Sequence, residues 1–154
     1  MASHHRKVRN QRKDHAHKVS RSLVDVYDVI VVEGLNIQGM VKRPKPKKND
    51  DGTFAPNGAG AKSGLNRSIN DAGWGQLLQF ITYKAEEAGR LVFGVDPRHT
   101  SQTCHECGHV DVGNRVTQSG FVCLLCGNTD NADVNAAKNI HRLGLSQRTP
   151  AMVA

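Results

Sequence analysis

Apolar positions along this chain change period several times, and each period predicts an element. Over residues 1–27, His15, Val19, Leu23 and Val26 or Tyr27 recur at helical spacing, which predicts a helix with one amphipathic stripe. The run Val29-Ile30-Val31-Val32 is continuously β-branched, the pattern of a strand covered on both faces in an α/β sheet, and Glu33 ends it. Residues 36–64 lose all period; glycines, prolines and lysines dominate, and the stretch reads as one long basic loop. Trp74, Leu77, Leu78, Ile81, Ala85 and Ala88 then mark a second helix, capped by Ser68 or Asn70 and stopped by Gly89. On that stripe Trp74 reads as a core residue, with a base-stacking platform as the remote alternative. Leu91-Val92-Phe93 predicts another strand, closed by Asp96-Pro97. A last helix is expected over residues 131–145, with Val134, Ala137 and Ile140 on its apolar side, Gly144 as its stop and a disordered tail over 146–154.

Charge changes this picture on two segments. The chain of 154 residues has a formal charge of +7 and a pI near 9.5. On the first helix Arg6, Lys7, Arg9, Arg12, Lys13, Lys18 and Arg21 face only Asp14 and Asp25. The loop adds Lys42, Arg43, Lys45, Lys47 and Lys48. Such a surplus favours a polyanionic partner over a membrane or an acidic small molecule, with a merely solvated face as the bland alternative. Arg9, Arg12, Lys13 and Lys18, with the five loop cations, are the candidate phosphate contacts. An apolar run of about eighteen residues, which a membrane span needs, is absent, as is the apolar core of a secretory signal. A reducing cytosolic setting is expected.

The four cysteines carry the most specific chemistry. Cys104 and Cys107, then Cys123 and Cys126, form two C-x2-C pairs inside residues 99–130, and Gly108 and Gly127 each follow a pair. Thiolates at this spacing suit a tetrahedral zinc ion in a zinc ribbon, with Phe121 and Val122 feeding the second knuckle. A redox dithiol is the rival reading, which two complete pairs disfavour. His105 and His109 read as bystanders. Taken alone, Glu33 is a solvated strand-end acid and Asp133 an acid that complements a helix dipole.

The stretches Tyr27 to Ile37, Asp71-Ala72-Gly73-Trp74, Thr100 to Cys104 and Asp133 to Ile140 resemble, in order and separation, the C-terminal half of TnpB. That family is the OrfB protein of insertion sequences, named a transposase and understood as an RNA-guided DNA endonuclease. The resemblance implies a partial RuvC-like, RNase H-type α/β domain over residues 28–98 and 131–145, with the zinc ribbon inserted before its last helix. Glu33 and Asp133 then match the second and third catalytic carboxylates, which would hold magnesium; the cysteines would hold structural zinc. DNA is the implied partner, with a guide RNA in the full-length parent. Nothing before His4 matches the strand that bears the family's first catalytic Asp. Cleavage by this chain alone is therefore not expected, unless a missing N-terminal half acts in trans. The sheet is expected to lack neighbours, and Gly34 departs from the polar or acidic residue common after the catalytic Glu. The alternatives are a zinc-ribbon nucleic-acid-binding regulator derived from a transposase and a non-functional truncated fragment.

Overall fold

The computed structural model describes residues 2–148. In chain order the elements are α1 (Ala2–Val26), β1 (Val29–Glu33), α2 (Ile37–Met40), β2 (Lys47–Lys48), β3 (Phe54–Ala55), α3 (Ala59–Ala72), α4 (Trp74–Glu87), β4 (Leu91–Val95), β5 (Gly120–Val122), β6 (Thr129–Asn131) and α5 (Ala132–Arg148). Among the described residues they divide into two compact units, residues 2–27 with 36–90 and residues 28–35 with 91–148.

In the first unit α1 packs along α4. Val24, Phe80, Ile81 and Ala85 are buried between them, and the His17 ring stacks on Phe80 with centroids 3.9 Å apart. Lys84 is buried here too, its ammonium donating to the His17 carbonyl at 2.6 Å and the Ser20 hydroxyl at 2.7 Å. Burial, and secondarily Arg21, pushes its pKa down. The inward face of α4 is thus rotated from the expected stripe. The long stem of Lys84 packs like a hydrophobe while its head reaches the His17 carbonyl inside α1, which also accepts from the Ser20 hydroxyl.

Gly73 explains a second difference. The sequence predicts one helix beginning near Ser68, but α3 begins at Ala59 and Gly73, at φ +66°, separates it from α4. That left-handed residue makes Trp74 the first residue of α4, where it is 44% exposed rather than in the core. Residues 36–64 are not a single loop either. Asn36 caps the short α2 through its side chain, and β2 pairs with β3 in an antiparallel hairpin whose turn is tied by Asp51 and Thr53. Local side-chain bonds of this kind leave no hydrophobic period.

The second unit is built on β1 and β4, which pair in parallel from Val29 opposite Leu91 to Glu33 opposite Val95. This two-stranded sheet leaves every residue of β1 half-buried, not covered on both faces. Gly34 follows β1 where its amide donates to the Val95 carbonyl at 2.8 Å and an added Cβ would lie 3.1 Å from that oxygen. The ribbon extends from β4, with β5 and β6 antiparallel, and leads into α5. The α5 residues that are buried are Ala132, Asn135, Ala136, Asn139, Ile140 and Gly144, whereas Val134 and Ala137 are exposed. Of the expected apolar trio only Ile140 is buried, and two asparagines share the inward face with Ala132, Ala136 and Gly144. Gly144 does not stop α5, which continues to Arg148; residues 146–148 of the expected tail are helical, and residues 149–154 lie outside the described residues.

Candidate metal centre

Two knuckles of one design bring the cysteines together. The Cys104 amide donates to the His109 carbonyl and Gly108 returns a bond to Cys104; the Cys123 amide donates to Asn128 and Gly127 returns a bond to Cys123. Gly108 and Gly127, at φ +78° and +72°, allow the tight turns. Cys104, Phe121, Cys123 and Ala132 form the small buried cluster beneath them.

All four sulfur atoms lie within 4.8 Å of one another. Across the knuckles, Cys104 Sγ is 3.7 Å from Cys126 Sγ and Cys107 Sγ is 3.6 Å from Cys123 Sγ. A tetrahedron with arms of roughly 2.3 Å has edges of about 3.8 Å, so the thiols are already spaced for a metal such as zinc. The Cys126 amide approaches Cys123 Sγ at 3.5 Å and the Asn128 side chain approaches Cys104 Sγ at 3.9 Å, contacts that support a thiolate.

Electrostatics favour a cation in the centre. Donation from the Cys126 amide, with a smaller share from Leu125, pulls Cys123 down to about 6. The Asn128 amide also lowers Cys126, yet the neighbouring thiols and burial outweigh it and push Cys126 up to about 12. One thiolate therefore forms readily and opposes the others until a metal neutralises them. The sign for Cys123 is that of a depressed acid. In the folded ribbon its stabilisation is fully present above the ordinary thiol pKa of about 8.5 and is lost as pH falls through about 6. Zinc affinity should therefore weaken as pH drops through the same window.

Buried asparagines fasten the ribbon. Asn135 accepts from the His105 amide at 3.0 Å and donates to the Thr103 carbonyl at 2.8 Å. Asn139 donates to the carbonyls of Thr100 and Thr103, at 2.9 and 2.7 Å. Asn114 joins the two knuckles, donating to the Gln102 carbonyl at 2.9 Å and accepting from the Leu124 amide at 2.9 Å.

Of the expected carboxylates, Glu33 is half-buried at the carboxyl end of β1. Asp133 stands in the first turn of α5, its side chain 84% exposed and 3.8 Å from Arg115. Asn131 caps that helix, accepting from the amides of Asp133 and Val134. Among the described residues, the four cysteines are the group of three or more metal-binding side chains brought together; Glu33 and Asp133 belong to no such group. The expected phosphate contacts Arg9, Arg12, Lys13 and Lys18 are exposed on α1, with Arg12 paired to Asp71 and Lys18 to Asp14. Lys42, Arg43 and Lys45 are exposed before the hairpin and Lys47 and Lys48 on its first strand, the Lys48 ammonium 5.7 Å from the Phe54 ring centroid.

Residues 74–140 match the family described as "Cas12f1-like, TNB domain" and residues 1–44 match the OrfB family described as "Probable transposase". The chain is 42% identical over 142 residues to "Putative RNA-guided DNA endonuclease InsQ" of Escherichia coli (strain K12), covering 91% of this chain and 34% of that protein. It is 30% identical over 146 residues to "TnpB-like protein L79" of Acanthamoeba polyphaga mimivirus, covering 94% and 25%. The chain belongs to the TnpB/OrfB family. It spans about a third of the length of InsQ. Its fold is that of the RuvC-containing Cas12 nucleases: the Cas12f1–sgRNA–target DNA complex superposes with a TM-score of 0.57 at 22% identity, over 88% of this chain and 35% of that one.

In this TnpB-family chain, Asn114, Asn135 and Asn139 are the structural residues that sequence reasoning missed. A polar residue three or four positions from another on a helix reads as solvated face, and only the fold shows the carbonyls they reach. Asn139 is 2% exposed, so Asn139→Ala removes the side-chain donor of the Thr100 carbonyl and leaves Thr103 to Asn135 alone. The expected loss is about 1–3 kcal/mol in urea denaturation.

Proposed function

We propose that this chain supplies the zinc ribbon and two of the metal-binding carboxylates of a RuvC-like, magnesium-dependent DNA endonuclease acting in transposition and DNA recombination. Zinc is the structural metal of Cys104, Cys107, Cys123 and Cys126; Glu33 and Asp133 are the catalytic ligands. The observation that carries the reading is the relation of α5 to β1. Gly144 of α5 lies against Val31, and strand alternation puts Glu33 on the same face of β1 as Val31. Asp133 opens the helix that covers this face, and its exposed carboxylate is available to a hard cation. When bound, magnesium would polarise the phosphodiester and activate water. The exposed cations of α1 and the 42–48 segment would hold the DNA backbone, and a guide RNA would be the partner of the intact enzyme. The setting is cytoplasmic and nucleoid-associated.

Manganese binding to the zinc-loaded chain, followed by water-proton relaxation, tests the assignment. Glu33→Gln and Asp133→Asn should each weaken it; two variants with unchanged affinity would overturn it. Two carboxylates make a poor two-metal site, so the chain alone is not expected to cut single-stranded DNA. Metal-dependent cutting lost in Asp133→Ala would show that two suffice, and cutting untouched by that change would assign the chemistry elsewhere.

A further inference from the structure

The groove of the first unit faces solvent between α1, α2, α3 and the start of α4, and has a volume of about 1420 Å³. Small-molecule pockets run to roughly 300–1,000 Å³, so a polymer segment suits its size better. Trp74 lies on its wall, 44% exposed, with Ile37 and Leu77 as apolar shoulders. Arg9, Arg12 and Arg67 line the same groove, and the one acid among the described lining residues is Asp71, which Arg12 already neutralises. An accessible indole beside a cationic surplus has the two elements that a single-stranded nucleic acid needs: a face for an unpaired base and charges for its flanking phosphates.

We propose that this groove docks a single-stranded DNA segment, with one unpaired base stacked on Trp74 and the adjoining phosphates held by Arg9 and Arg67. The inference deepens the reading of the chain as DNA-binding and does not involve Glu33 or Asp133. It gives the Asp71-Ala72-Gly73-Trp74 stretch a role that helix periodicity conceals. Gly73 at φ +66° breaks the helix and sets Trp74 at the first position of α4, on the groove wall rather than on the buried face. A core role for the tryptophan would leave it enclosed by apolar neighbours. Instead it is 44% exposed on the wall of a groove that Arg9, Arg12 and Arg67 also line.

Trp74 is the only tryptophan in the chain, so its fluorescence reports the groove directly. Titrating the zinc-loaded chain with a short oligo(dT), without added magnesium, should quench that emission saturably. The same oligomer carrying abasic sugars should bind more weakly and quench little. Trp74→Leu should weaken oligo(dT) binding roughly tenfold or more, as measured by anisotropy of a labelled oligomer. Arg9→Ala and Arg67→Ala should retain the quench at saturation while each lowers the slope of log affinity against log salt by about 0.7. Binding without quenching, equal quenching by the abasic strand, or tighter binding of oligo(U) than of oligo(dT) would overturn the proposal. If Trp74→Leu does not fold, the comparison of oligo(dT) with the abasic strand decides alone. Quenching that survives alongside lost manganese binding separates failure of the carboxylate assignment from failure of this one.

Discussion

Cys104→Ser, or removal of the metal by a chelator, is expected to unfold the ribbon while the helices of the first unit stay folded. The reason is the size of the ribbon's core. Its buried apolar cluster is Cys104, Phe121, Cys123 and Ala132, two of which are thiols of the metal group itself. Burying one phenylalanine contributes only about 1.5–3 kcal/mol, far less than ordering some thirty residues costs at roughly 1 kcal/mol or more each. Structural zinc contributes on the order of 10–16 kcal/mol in comparable small domains, and that free energy is folding free energy. Serine removes a soft ligand and leaves a three-sulfur site. Measured zinc should fall from about one per chain towards none, and amide hydrogen exchange across residues 104–131 should accelerate by orders of magnitude. Protection retained in the chelated protein would mean that the asparagine network, not the metal, holds the ribbon.

The loss should spread into α5 because the ribbon caps and fastens it. Asn131 satisfies the first amides of that helix, and Asn135 reaches back to His105 beside the first knuckle. α1, whose contacts lie with α4 in the other unit, should keep its protection. A graded exchange pattern of this kind distinguishes a metal-held subdomain from a single cooperative fold.

What the sequence made legible was local chemistry. Two C-x2-C pairs each followed by glycine define a knuckle almost completely, because the ligands, the turn and the bond back to the first cysteine fall within a few residues. Val29 to Val32 and Leu91 to Phe93 were equally plain, since β-branched and aromatic runs of that length have few other uses. What escaped depended on partners distant in sequence. Trp74 shares a helical phase with Leu77 and Ile81, but periodicity could not show that Gly73 ends α3 and leaves Trp74 at the first position of α4, where it is 44% exposed. Lys84 looks like a surface residue until α1 presents the His17 carbonyl to it. The asparagines of α5 occupy buried positions because the Thr100–Thr103 turn offers carbonyls there, and hydrophobic periodicity gives polar residues no such place. Glu33 and Asp133 stood out through resemblance to a family, not through their own surroundings, which on the residues alone looked ordinary.

Gly144 shows most clearly how a local reading and a tertiary one predict opposite signs. If it sat idly within the helix, Gly144→Ala would stabilise the chain by up to about 1 kcal/mol through helix propensity. The fold predicts destabilisation. An added Cβ would fall well inside van der Waals contact with both Val31 methyl carbons and lie 2.9 Å from the Val31 Cβ. Valine is stiff about χ1 and its methyls cannot swing away, so helix and strand must separate. Overpacking of this kind costs about 1–3 kcal/mol, which outweighs the propensity gain; Gly144→Val should cost more. Urea denaturation of Gly144→Ala reads the sign directly. Combining it with Val31→Ala should recover much of the loss, a positive coupling that independent sites would not show. The same displacement carries a functional consequence. Lifting α5 from the face of β1 that bears Val31 and Glu33 moves Asp133 with it, so manganese affinity should fall in Gly144→Ala although no ligand has changed. Destabilisation with unaltered manganese binding would mean that α5 hinges beyond Asp133, and that Glu33 and Asp133 do not act on one ion.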